Sequence, residues 1–306
     1  MTYAPVKVFA PASLSNLGPG FDTVGLAFEG PGDTIIARLT RSPGIVIESA
    51  VRLPTEPELN TAGCAALVVL QQAKSDHGLH LTIQKGIPLG SGVGGSAASA
   101  AAGAWAANLL LGRPFSKEDL VEAVLEGESV ASGGIRHGDN ALPALFGGLI
   151  LTSPVSPGDY RRIALRRAMH LVVLLPSLRI LTKAAREALP TQVGFRDYVH
   201  NASDLAFMLH ALLAGDWARL GPYLMRDRLV EPVRARQVSA YSAIREAALN
   251  AGAYAAALTG SGPAMFAVAP DAGGAEVIKT AMIGACDVPA LTYVTGIDTR
   301  GVRAIG

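Results

Sequence analysis

Apolar and polar residues alternate through "LHLTIQK", the pattern of a half-buried strand, and the strand enters a turn at Gly86. "VKVFAPAS" near the start and "DTIIARLT" after it read as strands too. Elsewhere the period changes. "ELNTAGCAALVVLQQAKSDHG" predicts a helix from about Leu59, closed by Gly78, and an alanine-rich helix over 96–111 follows the turn. "SKEDLVEAVLEGES" predicts a further helix with Ser116 at its N-cap. "GGLILTS" is strand-like, and Pro154 and Pro157 mark a boundary after it. In the second half, "HLVVLLP" reads as a buried strand and "LTKAAREALP" as a short helix, with Thr182 as N-cap and Pro190 past its end. "FRDYVHNASDLAFMLHALLAGD" and "VRARQVSAYSAIREAALNAG" predict longer helices. "AYAAALTGSGPAMFAVAP" gives two short strands around a glycine turn, "DAGGAEVIKTAMIGA" a helix and "ALTYVTGID" a closing strand. Long helices mixed with alternating strands imply α+β layers and not a regular βαβ series.

Composition narrows the function classes. A chain of 306 residues, half of them hydrophobic, supports a large core and favours two domains, here 1–155 and 156–306. A formal net charge of +1 gives no general pull toward nucleic acid or anionic membrane. Cys64 and Cys286 form neither a disulfide framework nor a metal cluster, which suits a reducing cytoplasm. The N-terminus lacks the basic and apolar regions of a signal peptide. Mean hydropathy is +0.33, yet runs such as "AALVVL" are far too short to span a bilayer.

The chemistry starts at "GIPLGSGVGGSAASAAAGAW". Glycines admit a ligand close to the backbone, and a helix start adds free N–H groups and partial positive charge, so the segment suits a phosphate. Gly90, Gly92 and Gly95 spell G-x-G-x-x-G, but Pro88 separates strand from turn, which argues against a dinucleotide fold. No lysine follows the glycines, so the G-x-x-x-x-G-K-[ST] loop is excluded.

Two further glycine motifs accompany it, "PASLSNLGPGFDTVG" and "LTGSGPAMFAV". In this order the three resemble the GHMP kinases, which phosphorylate small alcohols. The resemblance spans nearly the whole chain. It implies an α+β fold with an N-terminal domain like ribosomal protein S5, which carries the ATP loop, and a C-terminal ferredoxin-like α/β-plait domain. "NLGPGFDTVG", "SGGIRHGDNALPALFGGL", "TKAAREALP" and "LVEPVRARQV" resemble most the members whose acceptor is L-homoserine. ATP and Mg²⁺ are the implied cofactors, O-phospho-L-homoserine on the way to threonine the implied product, and a homodimer the implied assembly. Mevalonate- or sugar-type kinases and a silent nucleotide-binding relative are the alternatives. Gly94-Gly95 stands where the family has Gly-Ser, and the spacing of "GGIRH" departs from the pattern.

Site residues follow from the resemblance. Arg186 and Arg234 match the carboxylate binders, and a guanidinium fork suits a carboxylate. Asp22, with Asn16, matches the ammonium side. Asn140 matches the residue near the hydroxyl and, with Arg234, the catalytic positions. Pro88, Leu89, Gly90, Ser91, Gly92, Val93, Gly94, Gly95 and Ser96 form the phosphate loop, and Asn60 and Thr61 match adenine contacts. Glu128 and Ser96 match the metal ligands, with Glu126 as competitor on another helix face. Asp139 is the carboxylate beside Asn140, and His137 reads as a loop histidine. No carboxylate base is implied.

Overall fold

The computed structural model describes residues 4–306. Seven strands form the first sheet: β1 (Val6–Ser15), β2 (Val24–Thr40), β3 (Ile45–Ser49), β4 (Gly78–Gln84), β5 (Leu149–Thr152), β6 (Tyr160–Ile163) and β11 (Arg303–Ala304). The order is β11-β1-β2-β4-β3, parallel only between β3 and β4. The long β2 serves two neighbours: Thr34 to Thr40 pair with β4, and Val24 to Leu26 pair with β5, which carries β6. Both β6 and β11 lie beyond residue 155 in the chain but belong to this sheet.

Helices α1 (Thr61–Gln72), α2 (Gly95–Leu110), α3 (Val121–Ser129) and α4 (Gly138–Phe146) pack on one another and on the sheet. The alanines of α2 are explained by its position, since it is buried on nearly all sides and only small side chains fit. Its Gly103 meets the backbone of Ala62 in α1, where a Cβ would collide with the Ala62 carbonyl.

The second sheet runs β10-β7-β9-β8, all antiparallel, from β7 (His170–Pro176), β8 (Ala255–Leu258), β9 (Met265–Ala269) and β10 (Ala290–Thr295). The continuous apolar run of β7 follows from burial on both faces. Leu171, Val173 and Leu175 join the main core, whereas Val172 and Leu174 face a second cluster under α9 (Tyr241–Asn250) and α10 (Ala272–Ala285). α6 (Phe195–Ala214) and α7 (Trp217–Leu224) send Met208, Leu212, Leu220 and Leu224 into the main core, which therefore runs through both sheets. No helix among the described residues is long and apolar enough to cross a membrane.

Four local expectations need correction. The first helix ends at Gln72, and Gly78 instead opens β4, where a Cβ would strike the carbonyls of Ser42 and Gly44. Thr182 is the first residue of α5 (Thr182–Glu187) and not its cap; Leu181 holds the cap position without a side-chain bond. The segment "VRARQVSAYSAIREAALNAG" is not one helix. Pro232 starts the short α8 (Glu231–Arg234), a 3-10 turn (Ala235–Gln237) follows, and Val238 turns extended before α9. Ser116 does cap, but it caps a turn with Asp119 that precedes α3.

The α1–α2 contact packs the helix into which the glycine loop runs, and it gives a stability prediction. Gly103→Ala must push the helices apart and should cost about 1–3 kcal/mol, read as a lower midpoint in chemical denaturation.

Candidate active site

A cavity of about 470 Å³ opens where the three glycine segments meet. They are joined backbone to backbone. Ser13 N–H donates to the Val93 carbonyl (3.2 Å), Gly260 N–H to Ser15 (3.0 Å), Ala264 N–H to Ser91 (3.2 Å) and Ile180 N–H to Gly90 (3.1 Å). Side chains at the glycines would prevent this. A Cβ on Gly92 would meet the Gly262 carbonyl at 2.5 Å, and one on Gly260 the Gly92 carbonyl at 2.5 Å.

The loop itself has alternating left-handed glycines, with φ of 70° at Gly90, 81° at Gly92 and 68° at Gly94. Only glycine holds such angles at no cost. Gly94 is the N-cap of α2, so the free N–H groups of that helix start open beside the cavity. Pro88, Leu89, Gly90, Ser91, Gly92, Gly94, Gly95 and Ser96 all line it, whereas Val93 is fully buried in the core. Asn60 and Thr61 line the wall at the start of α1. The Asn60 side chain is already engaged there: its Oδ1 accepts from Ala62 and Gly63 N–H, and its Nδ2 donates to the Pro54 carbonyl.

Glu128 and Ser96 come together, the hydroxyl donating to Glu128 Oε1 at 3.1 Å. Glu128 Oε2 is buried with no partner. Burial pushes the Glu128 carboxyl up to about 8, with the Ser96 hydrogen bond opposing. Its competitor Glu126 points away and pairs with Arg136 on the outside. An orphaned carboxylate oxygen beside a hydroxyl and a phosphate cradle fits a cation that takes few protein oxygens, and no cluster of three acidic, His or Cys ligands exists among the described residues.

The opposite end of the cavity is charged. Asn16 and Asp22 both have left-handed backbones, φ 56° and 54°, and Asn16 Oδ1 accepts the Asp22 N–H at 2.9 Å. Arg186, from α5, donates to both Asp22 oxygens at 2.7 and 2.8 Å. Arg234, from α8, is 3% exposed and donates to the Gly260 carbonyl at 2.5 Å, leaving its Nε unpartnered. Burial and the Arg186 charge lower its pKa, while Asp22 opposes them. His137 Nδ1 lies 3.7 Å from Asp22, and burial lowers its pKa while the Asp22 charge opposes the shift.

Asn140 sits near the start of α4 with its amide fixed from both sides. Ser13 Oγ donates to its Oδ1 (2.9 Å), and its Nδ2 donates to Ser15 Oγ (2.8 Å). Its neighbour Asp139 is buried with Oδ1 unpartnered, and burial pushes that carboxyl up to about 7, helped by the Asp22 charge.

Several site residues escape a linear reading. Lys85 directly follows β4, and its ammonium is held by Asp33, the Gly95 carbonyl and the Ser99 hydroxyl. Asp33 Oδ1 also accepts the N–H groups of Gly86 and Ile87, so one buried carboxylate fixes the entry to the loop. The signal was a cation placed directly before the glycine turn. Ser13 and Ser15 had a weaker one, a shared strand face at spacing two.

A glycine loop at a helix start and a cluster of charged side chains thus share one cavity on an α+β fold, an arrangement suited to a small-molecule kinase. The chain belongs to the GHMP kinases: the family models for the GHMP kinases N terminal domain and the GHMP kinases C terminal match residues 60–148 and 208–287. Within that family it is similar to homoserine kinases. It is 39% identical to that of Methanococcus vannielii over 267 residues, 86% of this chain and 87% of the relative. It is 38% identical to that of Xanthomonas campestris over 309 residues, covering 98% and 94%. The crystal structure of homoserine kinase from Cytophaga hutchinsonii superposes with a TM-score of 0.94 at 33% identity, covering 100% of this chain and 98% of that one.

Glu128 makes stability depend on pH. Its folded value near 8 lies above that of an unfolded glutamate. Below about pH 4 both states hold the proton and nothing is lost. Between there and pH 8 only the unfolded chain has released it, so stability falls as pH rises. Glu128→Gln has no such proton. Thermal melting of the ligand-free variant should match wild type near pH 4 and exceed it increasingly toward pH 8; a gap independent of pH would remove the assigned ionisation.

Proposed function

We infer that the protein is an ATP-dependent kinase that transfers the γ-phosphoryl group to the hydroxyl of L-homoserine, giving O-phospho-L-homoserine and ADP, a step of threonine biosynthesis. The observation that carries the reading is the charge at the acceptor end: the guanidiniums of Arg186 and Arg234 and the carboxylate of Asp22, with Asp139 nearby, in the same cavity as the phosphate loop. A zwitterion matches that set, with its carboxylate on Arg186 and Arg234 and its ammonium on Asp22. A sugar has no charge to offer it.

In this reading the N–H groups of the loop and of the α2 start receive the phosphates. Ser96 and Glu128 would hold Mg²⁺, which neutralises phosphate charge when bound. Lys85, paired with Asp33, donates to the Gly95 carbonyl and so anchors the α2 start. Asn140, clamped by Ser13 and Ser15, orients the acceptor hydroxyl, and Arg234 stands near enough to balance charge. Phosphoryl transfer passes through a loose transition state, so positioning and electrostatics supply most of the acceleration. The reading also takes the protein as a cytoplasmic homodimer, on the family resemblance; sedimentation would measure the assembly.

Asp139 favours a second reading. It lines the cavity, and its carboxyl titrates at about 7, where it could take the hydroxyl proton. The two readings differ in kcat. Asp139→Asn should keep kcat within about tenfold if positioning suffices; a general base would lose on the order of 10²–10⁴. Single-turnover measurement at saturating ATP and L-homoserine separates them.

The carboxylate assignment is tested with Arg234→Ala on L-homoserine and on its carboxamide. Wild type should strongly prefer the carboxylate. Losing a charge-assisted hydrogen bond costs roughly 1.5–3 kcal/mol, so the variant should lose about tenfold to a hundredfold or more on L-homoserine, little on ATP, and most of its discrimination. A variant that keeps full discrimination would move the carboxylate elsewhere.

A further inference from the structure

Phe21 sits between the charged residues of the acceptor end in unusual surroundings. Arg186 and Arg234 come from different helices and carry like charges, and both guanidiniums lie 5.1 Å from the centre of the Phe21 ring. The ring does not line the cavity, and it belongs to neither hydrophobic cluster of the core. A half-buried aromatic outside the core, facing two cations, calls for a reason other than packing.

The backbone around it is built to place that ring. The loop from Asn16 to Asp22 contains two non-glycine residues in the left-handed region, held by the Asn16–Asp22 hydrogen bond. Gly18, also left-handed, presses against the backbone of Leu224, where a Cβ would collide. Strain of this kind persists where the surrounding structure enforces it, and it collects at functional sites. Its result is that consecutive residues act on the same guanidinium: Asp22 pairs with Arg186 and Phe21 stacks against it. Arg234 has greater need of the ring. It is buried, its Nε lacks a hydrogen-bond partner, and its guanidinium donates to the Gly260 carbonyl. The negative face of an aromatic ring offers attraction to a cation without consuming a donor, so the N–H groups stay available for a ligand.

We propose that Phe21 is a positioning residue for the acceptor site: its ring holds the guanidiniums of Arg186 and Arg234 side by side, at the separation that lets them share one substrate carboxylate. The proposal rests on the carboxylate reading of those two arginines. It adds that their spacing is set by the aromatic plate and not by the helices alone. Removing the ring leaves two repelling cations free to separate, and the carboxylate then meets one at a time.

The test compares Phe21→Leu, which keeps apolar bulk without the π face, with Phe21→Trp, which keeps the face. Phe21→Leu should raise KM for L-homoserine about tenfold and leave KM for ATP within about twofold. Its preference for L-homoserine over the carboxamide should shrink toward that of Arg234→Ala. Phe21→Trp should restore most of both. Binding of ATP by each variant, measured calorimetrically, controls for folding. A Phe21→Leu variant with wild-type KM for L-homoserine overturns the proposal, as does one whose KM values for both substrates rise together, or one that Phe21→Trp fails to improve. Failure here with Arg234→Ala still losing discrimination leaves the carboxylate reading standing; failure of both removes it.

Discussion

Two glycine turns from distant parts of the chain approach so closely that a carbonyl of one occupies the space of the other's missing side chain, and a third glycine leaves room for side chains of two further segments. Gly92 faces Gly262, Gly260 faces Gly92, and Gly94 leaves room for Ser13 and Asn140. Everything else in the site depends on this approach. It brings β1 to the phosphate loop through Ser13, the 258–264 turn to β1 through Gly260, and the chain before α5 to Gly90 through Ile180. Arg186 then arrives on α5, and Arg234 is tied to the turn by the Gly260 carbonyl. The glycine loop and the two arginines are thus fixed by one set of contacts.

The interior is charged as though partners were expected. Glu128 and Asp139 each keep a buried oxygen without a hydrogen bond, and Arg234 a buried nitrogen. Burying polar groups in this way costs stability unless something pairs with them. The Lys85–Asp33 pair, by contrast, is satisfied by Ser99, Gly95 and the N–H groups of Gly86 and Ile87, and it acts as scaffold for the loop entry. The Asp22–Arg186 pair is intermediate: complete in the ligand-free protein, but at the cavity wall where a zwitterion could exchange with both partners.

Much of this was legible from sequence because the motifs are local. The alternation of "LHLTIQK" and the turn that follows it reveal strand, loop and helix within some twenty-five residues, and Ser96 stands at the start of that helix. Glu128 could be separated from Glu126 only as a family match; the structure supplies the reason, since Glu126 faces Arg136 outside and Glu128 faces Ser96 inside. What stayed hidden is set by contacts across long separations. Ser13 and Ser15 matter because Asn140 lies between them, and Asp33 matters because Lys85 folds back onto it. The break between α8 and α9 was missed because propensity favours a continuous helix there, while Arg234 must stop short to meet Gly260.

The central claim is that one site joins a phosphate cradle to a receptor for a hydroxylated amino-acid zwitterion. The most direct measurement is to incubate the protein with Mg·ATP and each of L-homoserine, mevalonate and galactose, and to follow phosphorus resonances and ADP together. The account predicts one new phosphomonoester signal, on the side-chain oxygen of L-homoserine, formed one for one with ADP, and none with the other two. ADP release that ignores L-homoserine, or equal phosphorylation of an uncharged sugar, would contradict it.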